Sequence, residues 1–145
     1  MKAVIQRVQE ATVKVDNKLI GSIDKGILIY LGIEKNDSEL LLNKLVNKLL
    51  KFRMFSDSEG KMNLNVQEVN GQILVVSQFT LCASLQKGNR PSFDPAASPE
   101  KALDFYNKFV DLLKKKDVVV QTGEFGANMK VKYQNNGPVT FIFEL

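Results

Sequence analysis

The chain has 145 residues, with 20 Lys and Arg against 16 Asp and Glu for a net charge of +4, one Cys and no His. That length suits a single domain over residues 1–145, with one core that removes roughly two thirds of the unfolded chain's surface from water. Without imidazole, a Ser-His-Asp triad, a Cys-His pair and a His-ligated metal are all excluded, so any hydrolytic chemistry must use other groups.

Cys82 has no partner for an intrachain disulfide and is too few for a thiolate zinc site, which points to a reducing cytoplasm. No metal or cofactor motif is visible. The opening MKAVIQRVQEATVKV alternates polar and apolar residues and does not read as a signal peptide. Apolar runs such as Ile27 to Leu31 fall far short of the ~20 residues that span a bilayer. The chain is therefore expected to be neither secreted nor membrane-spanning. Its charge is spread over both halves without a basic tail, which permits an acidic partner but does not require one.

In chain order, Lys2 to Val15 reads as a long strand with approximate period 2. Asp16-Asn17 is a turn, Lys18 to Ile23 a return strand, and Asp24-Lys25-Gly26 a second turn into ILIYLGI. A helix capped by Asn36 or Asp37 is expected to run to about Lys51, burying the stripe Leu41, Leu42, Leu45, Val46, Leu49 and Leu50. Gln72 to Gln78 has the composition of a central strand.

A second helix starts at Ser98-Pro99-Glu100, with cap, first-position proline and early acid, and buries Ala102, Phe105, Tyr106, Phe109, Val110 and Leu113. The lysines at 114–116 complement the negative end of its dipole in preference to forming a phosphate site. Val118 to Gln121, Met129 to Tyr133 and Val139 to Phe143 are three further short strands. Seven strands and two helices without strict βαβ alternation predict an α+β domain, a small curled or closed, mainly antiparallel β-barrel with the two helices packed against it.

Three segments carry more than scaffold. SQFTL at 77–81 ends a buried strand in side chains that donate and accept hydrogen bonds, a common place for a ligand to meet backbone and hydroxyls. KGNRPSF at 87–93 is a loop with two cations and a ring that either stacks on a base or pins the loop to the core. NNGPVT at 135–140 reads as a tight turn joining the last two strands. Its Gly-Pro pair offers two unobstructed carbonyls, suited to accepting hydrogen bonds from an ammonium group.

Together with GEFGANM at 123–129, and in this order along the whole chain, these motifs closely resemble the D-aminoacyl-tRNA deacylases. The resemblance implies a homodimeric β-barrel that hydrolyses the ester joining a D-amino acid, or mischarged glycine, to the terminal adenosine of tRNA. It implies that Gly137 and Pro138, joined by a cis peptide, reach into the partner's active site, present their carbonyls to the substrate's α-amino group and leave no space for an L side chain. Arg7 would hold that turn. Ser77 and Gln78 would line the adenosine pocket, with Phe125 and Met129 as its apolar wall.

An aminoacyl ester is already activated, so a backbone N–H of Phe79 or Thr80 aimed at the developing oxyanion is enough for a mechanism without His. Thr80 is read as a positioning residue in preference to a nucleophile, because no base is evident for it. Two other readings stand beside this one: a non-catalytic RNA-binding barrel, and a free-standing editing module like that attached to some archaeal threonyl-tRNA synthetases.

Overall fold

The computed structural model describes residues 1–86 and 88–145. Lys87, the first residue of the KGNRPSF segment, lies outside the described residues. Strand β1 (Lys2–Val15) meets β2 (Lys18–Ile23) through Asp16 and Asn17, whose φ values of 47° and 64° put both in the left-handed region that a two-residue hairpin of native twist requires. Strand β3 (Gly26–Gly32) returns antiparallel to the first half of β1.

Helix α1 (Glu39–Lys51) then crosses over the sheet. It is followed by a small hairpin, β4 (Phe55–Ser56) and β5 (Met62–Leu64), that sequence periodicity did not reveal. The Asp57 carboxylate organises its loop, accepting from the N–H groups of Glu59 and Lys61 and from the Asn63 amide. Strand β6 (Gln72–Ser77) lies parallel to β3. A 3₁₀ turn (Phe79–Cys82) and helix α2 (Pro99–Lys114) lead to β7 (Val120–Thr122), parallel to β6. Strand β8 (Lys130–Glu144) runs back along β1.

The main sheet follows the order β2-β1-β3-β6-β7, with β8 on the other side of β1. All three partners of β1 are antiparallel to it, as expected of a mainly antiparallel barrel. Both helices nevertheless serve as crossovers between parallel strands, an alternation that the intervening hairpin and loops obscure in the sequence. The sheet nearly closes where Gly21 of β2 lies against the Thr122 carbonyl of β7, an approach that any side chain at position 21 would block.

Val8, Ala11, Val13, Ile23, Leu28, Leu74 and Val76 fill the barrel interior. The other face of the sheet packs through Ala3, Ile5, Ile27, Ile29, Ile73 and Val75 against Leu42, Leu45 and Leu49 of α1 and Phe105, Phe109 and Leu113 of α2. Each fully buried Leu or Phe there contributes about 1.5–3 kcal/mol.

Two local expectations are corrected. The cap of α1 is Ser38, whose hydroxyl accepts from the Leu41 N–H, and not Asn36 or Asp37. Asp37 is instead buried against the N-terminal ammonium of Met1, which donates to Asp37 Oδ1 at 2.7 Å, Glu34 Oε2 at 2.7 Å and the Leu145 carbonyl at 3.0 Å. The last two predicted strands are also one continuous strand, and 135–140 does not join two separate ones. β8 pairs with β1 on both sides of an irregularity, where the register passes from Gln6↔Thr140 to Val8↔Asn135, so residues 136–139 loop out of the ladder.

Candidate active site

The end of β6 and the 3₁₀ turn open onto a cavity of about 470 Å³. Ser77, Gln78 and Phe79 form one side, and Phe125 and Met129 of the GEFGANM segment form another, so five of the residues singled out from sequence line one space. Gly32 makes the turn possible, because a Cβ there would sit 2.9 Å from Cys82 Sγ and 3.0 Å from the Gln78 carbonyl oxygen. Ser77 and Gln78 are half-buried, while Phe79 is exposed and its ring lies 5.0 Å from that of Phe93. Phe93 thus packs against Phe79, and a backbone bridge joins Ser84 to Ser92. Asn89 and Arg90 are exposed and do not line the cavity.

The N–H groups of Phe79 and Thr80 have no hydrogen-bond acceptor among the described residues, whereas those of Gln78 and Leu81 bond to the carbonyls of Leu31 and Gln78. The Thr80 hydroxyl is exposed and accepts from the Gln78 side-chain amide, and no carboxylate hydrogen-bonds to it among the described residues.

Sequence reasoning missed the opposite wall. Ala96, Ala97, Pro99 and Ala102 line the cavity with small groups, and Tyr106 reaches it from α2. Tyr106 donates its hydroxyl to the Val75 carbonyl at 2.9 Å and lies 5.7 Å from the Phe125 ring. Burial pushes its phenol up to about 12, so it remains a neutral donor at physiological pH. The run PAASP before the helix was the available signal, since small residues leave room where larger ones would fill it. Burial and the nearby Glu34 charge likewise raise the Cys82 thiol to about 11, which makes it an inert core group.

Arg7, Gly137 and Pro138 are not brought to this cavity within one chain. They meet on the β8 irregularity, where the Gly137-Pro138 peptide is cis and both residues are exposed. Arg7 Nε donates to the Asn136 carbonyl at 3.0 Å, and its Nη1 to the Met54 carbonyl at 2.8 Å, tying the loop to the start of the small hairpin. The Asn135 side chain accepts from the Val139 N–H at 3.0 Å and donates to the Thr140 hydroxyl at 3.1 Å. The loop is thereby held from both flanks, with its Gly-Pro tip outward. No grouping of three or more metal-ligating side chains occurs among the described residues.

A helix-flanked, nearly closed barrel with an apolar cavity at the end of a central strand is a fold shared with known deacylases. One solved structure, described as a probable eukaryotic D-amino acid tRNA deacylase, superposes with a TM-score of 0.82 over 99% of this chain and 98% of its own, at 17% identity. Another, the c-Myc DNA Unwinding Element Binding Protein, reaches a TM-score of 0.95 at 42% identity over 100% of this chain and 99% of its own. A family model described as D-Tyr-tRNA(Tyr) deacylase matches residues 4–144. D-aminoacyl-tRNA deacylases of Saccharophagus degradans and Alteromonas mediterranea are each 55% identical over 145 residues, the full length of both chains. The chain belongs to the D-tyrosyl-tRNA deacylase family, and it is an enzyme, a hydrolase.

Proposed function

We propose that the chain acts as one domain to hydrolyse the ester of D-aminoacyl-tRNA, and of glycine mischarged onto tRNA, releasing free tRNA and the amino acid in the cytoplasm. The observation that carries this reading is the pair of unpartnered N–H groups, those of Phe79 and Thr80, beside the cavity edge formed by Ser77 and Gln78. The terminal adenosine enters between Phe125, Met129 and the Ala96-Ala97 wall. The ester carbonyl then lies beside the main-chain donors, which stabilise the oxyanion as water or the neighbouring ribose hydroxyl attacks.

Selectivity is assigned to Gly137 and Pro138 of a second copy, whose carbonyls accept from the α-ammonium and exclude an L side chain. Their outward position, away from their own chain's cavity, supports action across a dimer. So does the sheet face that carries Val4, Gln6, Tyr30 and Ile142: Ile142 is 68% exposed, and Gln6 Oε1 is buried without a hydrogen-bond partner. A second copy laid on that face covers the one and offers a donor to the other.

The reading is tested by deacylation of matched D- and L-tyrosyl-tRNA. D-selective release supports it, whereas binding without release favours a nucleic-acid-binding barrel. In the same assay Thr80→Ala is expected to keep single-turnover D-deacylation within about tenfold of wild type, because its hydroxyl faces an amide donor and no base. Complete loss, unrelieved in Thr80→Ser, would make Thr80 the nucleophile.

A further inference from the structure

We propose that the outward face of the β1–β8 ribbon behind the cavity wall, carrying Lys14, Lys130 and Lys132, is a docking surface for the phosphate backbone of the substrate RNA. This rests on the reading of the cavity as the seat of the aminoacylated adenosine. The register places Lys14 directly opposite Lys130, and Lys132 opposite Thr12 on the same face. Directly opposed residues of an antiparallel pair have Cβ atoms about 4.5–5.5 Å apart, and like charges at that spacing repel. All three ammonium groups are exposed, and none has an ion-pair partner among the described residues. Glu10, the acid on the same face, is opposite Gln134, beyond the Thr12↔Lys132 pair.

Three lysines elsewhere are engaged. Lys101 donates to the carbonyls of Lys35 and Asp37, Lys108 pairs with Glu39 and Asp104, and Lys48 lies over the Phe143 ring. The three on the ribbon share one face with two of them directly opposed, and carry no ion pair among the described residues, a concentration of positive charge that an RNA backbone neutralises with release of its counterions. Their place follows from strand alternation. Met129 and Val131 point into the cavity, so Lys130 and Lys132 point the other way from the same short stretch, about 6.8 Å apart along the strand. An RNA whose 3′ end is seated in the cavity then has its paired stem within reach of cations that carry no sequence preference.

The test compares kcat/KM on D-tyrosyl-tRNA and on D-tyrosyl-adenosine, which has the same ester but no phosphates, between 50 and 200 mM salt. The triple variant Lys14→Gln, Lys130→Gln, Lys132→Gln is expected to lose about tenfold or more on the tRNA at low salt. Its log–log salt slope should be shallower by roughly 2–3, near 0.9 per phosphate contact, and its rate on the small ester unchanged. Equal losses on both substrates, or none on the tRNA, overturn the proposal.

Lys130 and Lys132 also blunt the free edge of β8, so the triple variant is at risk of self-association. Lys14→Thr, which leaves that edge its cations, is measured beside it. A severalfold, tRNA-only loss with a slope shallower by about 1 supports the docking surface, and an unaltered slope overturns it. Failure of the wild-type enzyme on both esters would sink the functional reading itself. Wild-type activity with unaltered variants sinks only the docking surface.

Discussion

Gly137→Ala is expected to lower kcat/KM on D-tyrosyl-tRNA by about 10²-fold while leaving the enzyme folded. Gly137 has φ 133°, a conformation that L side chains rarely adopt. An added Cβ would lie 2.7 Å from Val139 Cγ2 and 3.0 Å from Arg7 Nη2, both inside normal contact. The loop must move, and Arg7, which holds it through the Asn136 carbonyl, must move with it. If these carbonyls seat the substrate's ammonium, a shift of about 1 Å is enough for a loss of that size. The cost to stability stays near 1–3 kcal/mol, because the residue is exposed and outside the strand ladder. Single-turnover deacylation beside a thermal melt separates the two effects. Activity within twofold of wild type would remove the Gly-Pro carbonyls from the mechanism.

The largest stability effect is expected at Asp37. The residue is 7% exposed, and its carboxylate accepts from the Met1 ammonium through Oδ1 and from the Glu34 N–H through Oδ2, each at 2.7 Å. Asp37→Asn leaves the buried ammonium with Glu34 as its one remaining carboxylate partner, and breaking such a pair costs about 3–5 kcal/mol, on the order of 10 °C in Tm. Burial opposes the charge on the Met1 amine, but the hydrogen bonds and negative charges of Asp37 and Glu34 outweigh it and hold the amine above its ordinary value of 8.0. Because the folded state has the raised value, this contribution is complete below about pH 8 and is lost as pH climbs through it. Wild-type Tm should therefore fall on the alkaline side, and the variant's should fall less. Parallel Tm profiles between pH 6 and 10 would show that the cluster adds nothing.

Both residues also show where sequence reading stops. The β1–β3 meander and both helices were legible because their signals are local: period-2 alternation, the Asp16-Asn17 turn, and the apolar stripe from Leu42 to Leu50. Cap rules offer Asp37 as a helix start because they see only the next four residues, whereas its partner lies 36 positions away. Residues 135–140 read as a tight turn because Asn, Gly and Pro are turn residues. Only pairing with β1 on both sides of it shows that the strand continues. Ser77, Gln78 and Phe79 were found through a motif at a strand end, and the cavity forms there. Helical spacing places Tyr106 in the core. It is indeed buried, and periodicity has no means of showing that it also lines a cavity.

The cavity is lined by aliphatic, aromatic, amide and hydroxyl groups, and among its described residues only Tyr106, held near 12, carries a proton that could ionise. If the ester is cleaved in this cavity, the lining supplies no acid and base to set a bell-shaped rate profile. Such acceleration as the enzyme achieves would then be a constant multiplier on the intrinsic reactivity of the ester. Its rate through neutral pH is then expected to follow hydroxide concentration and the ionisation of the substrate's own amine, so that the profile reports the ligand and the solvent, not the protein.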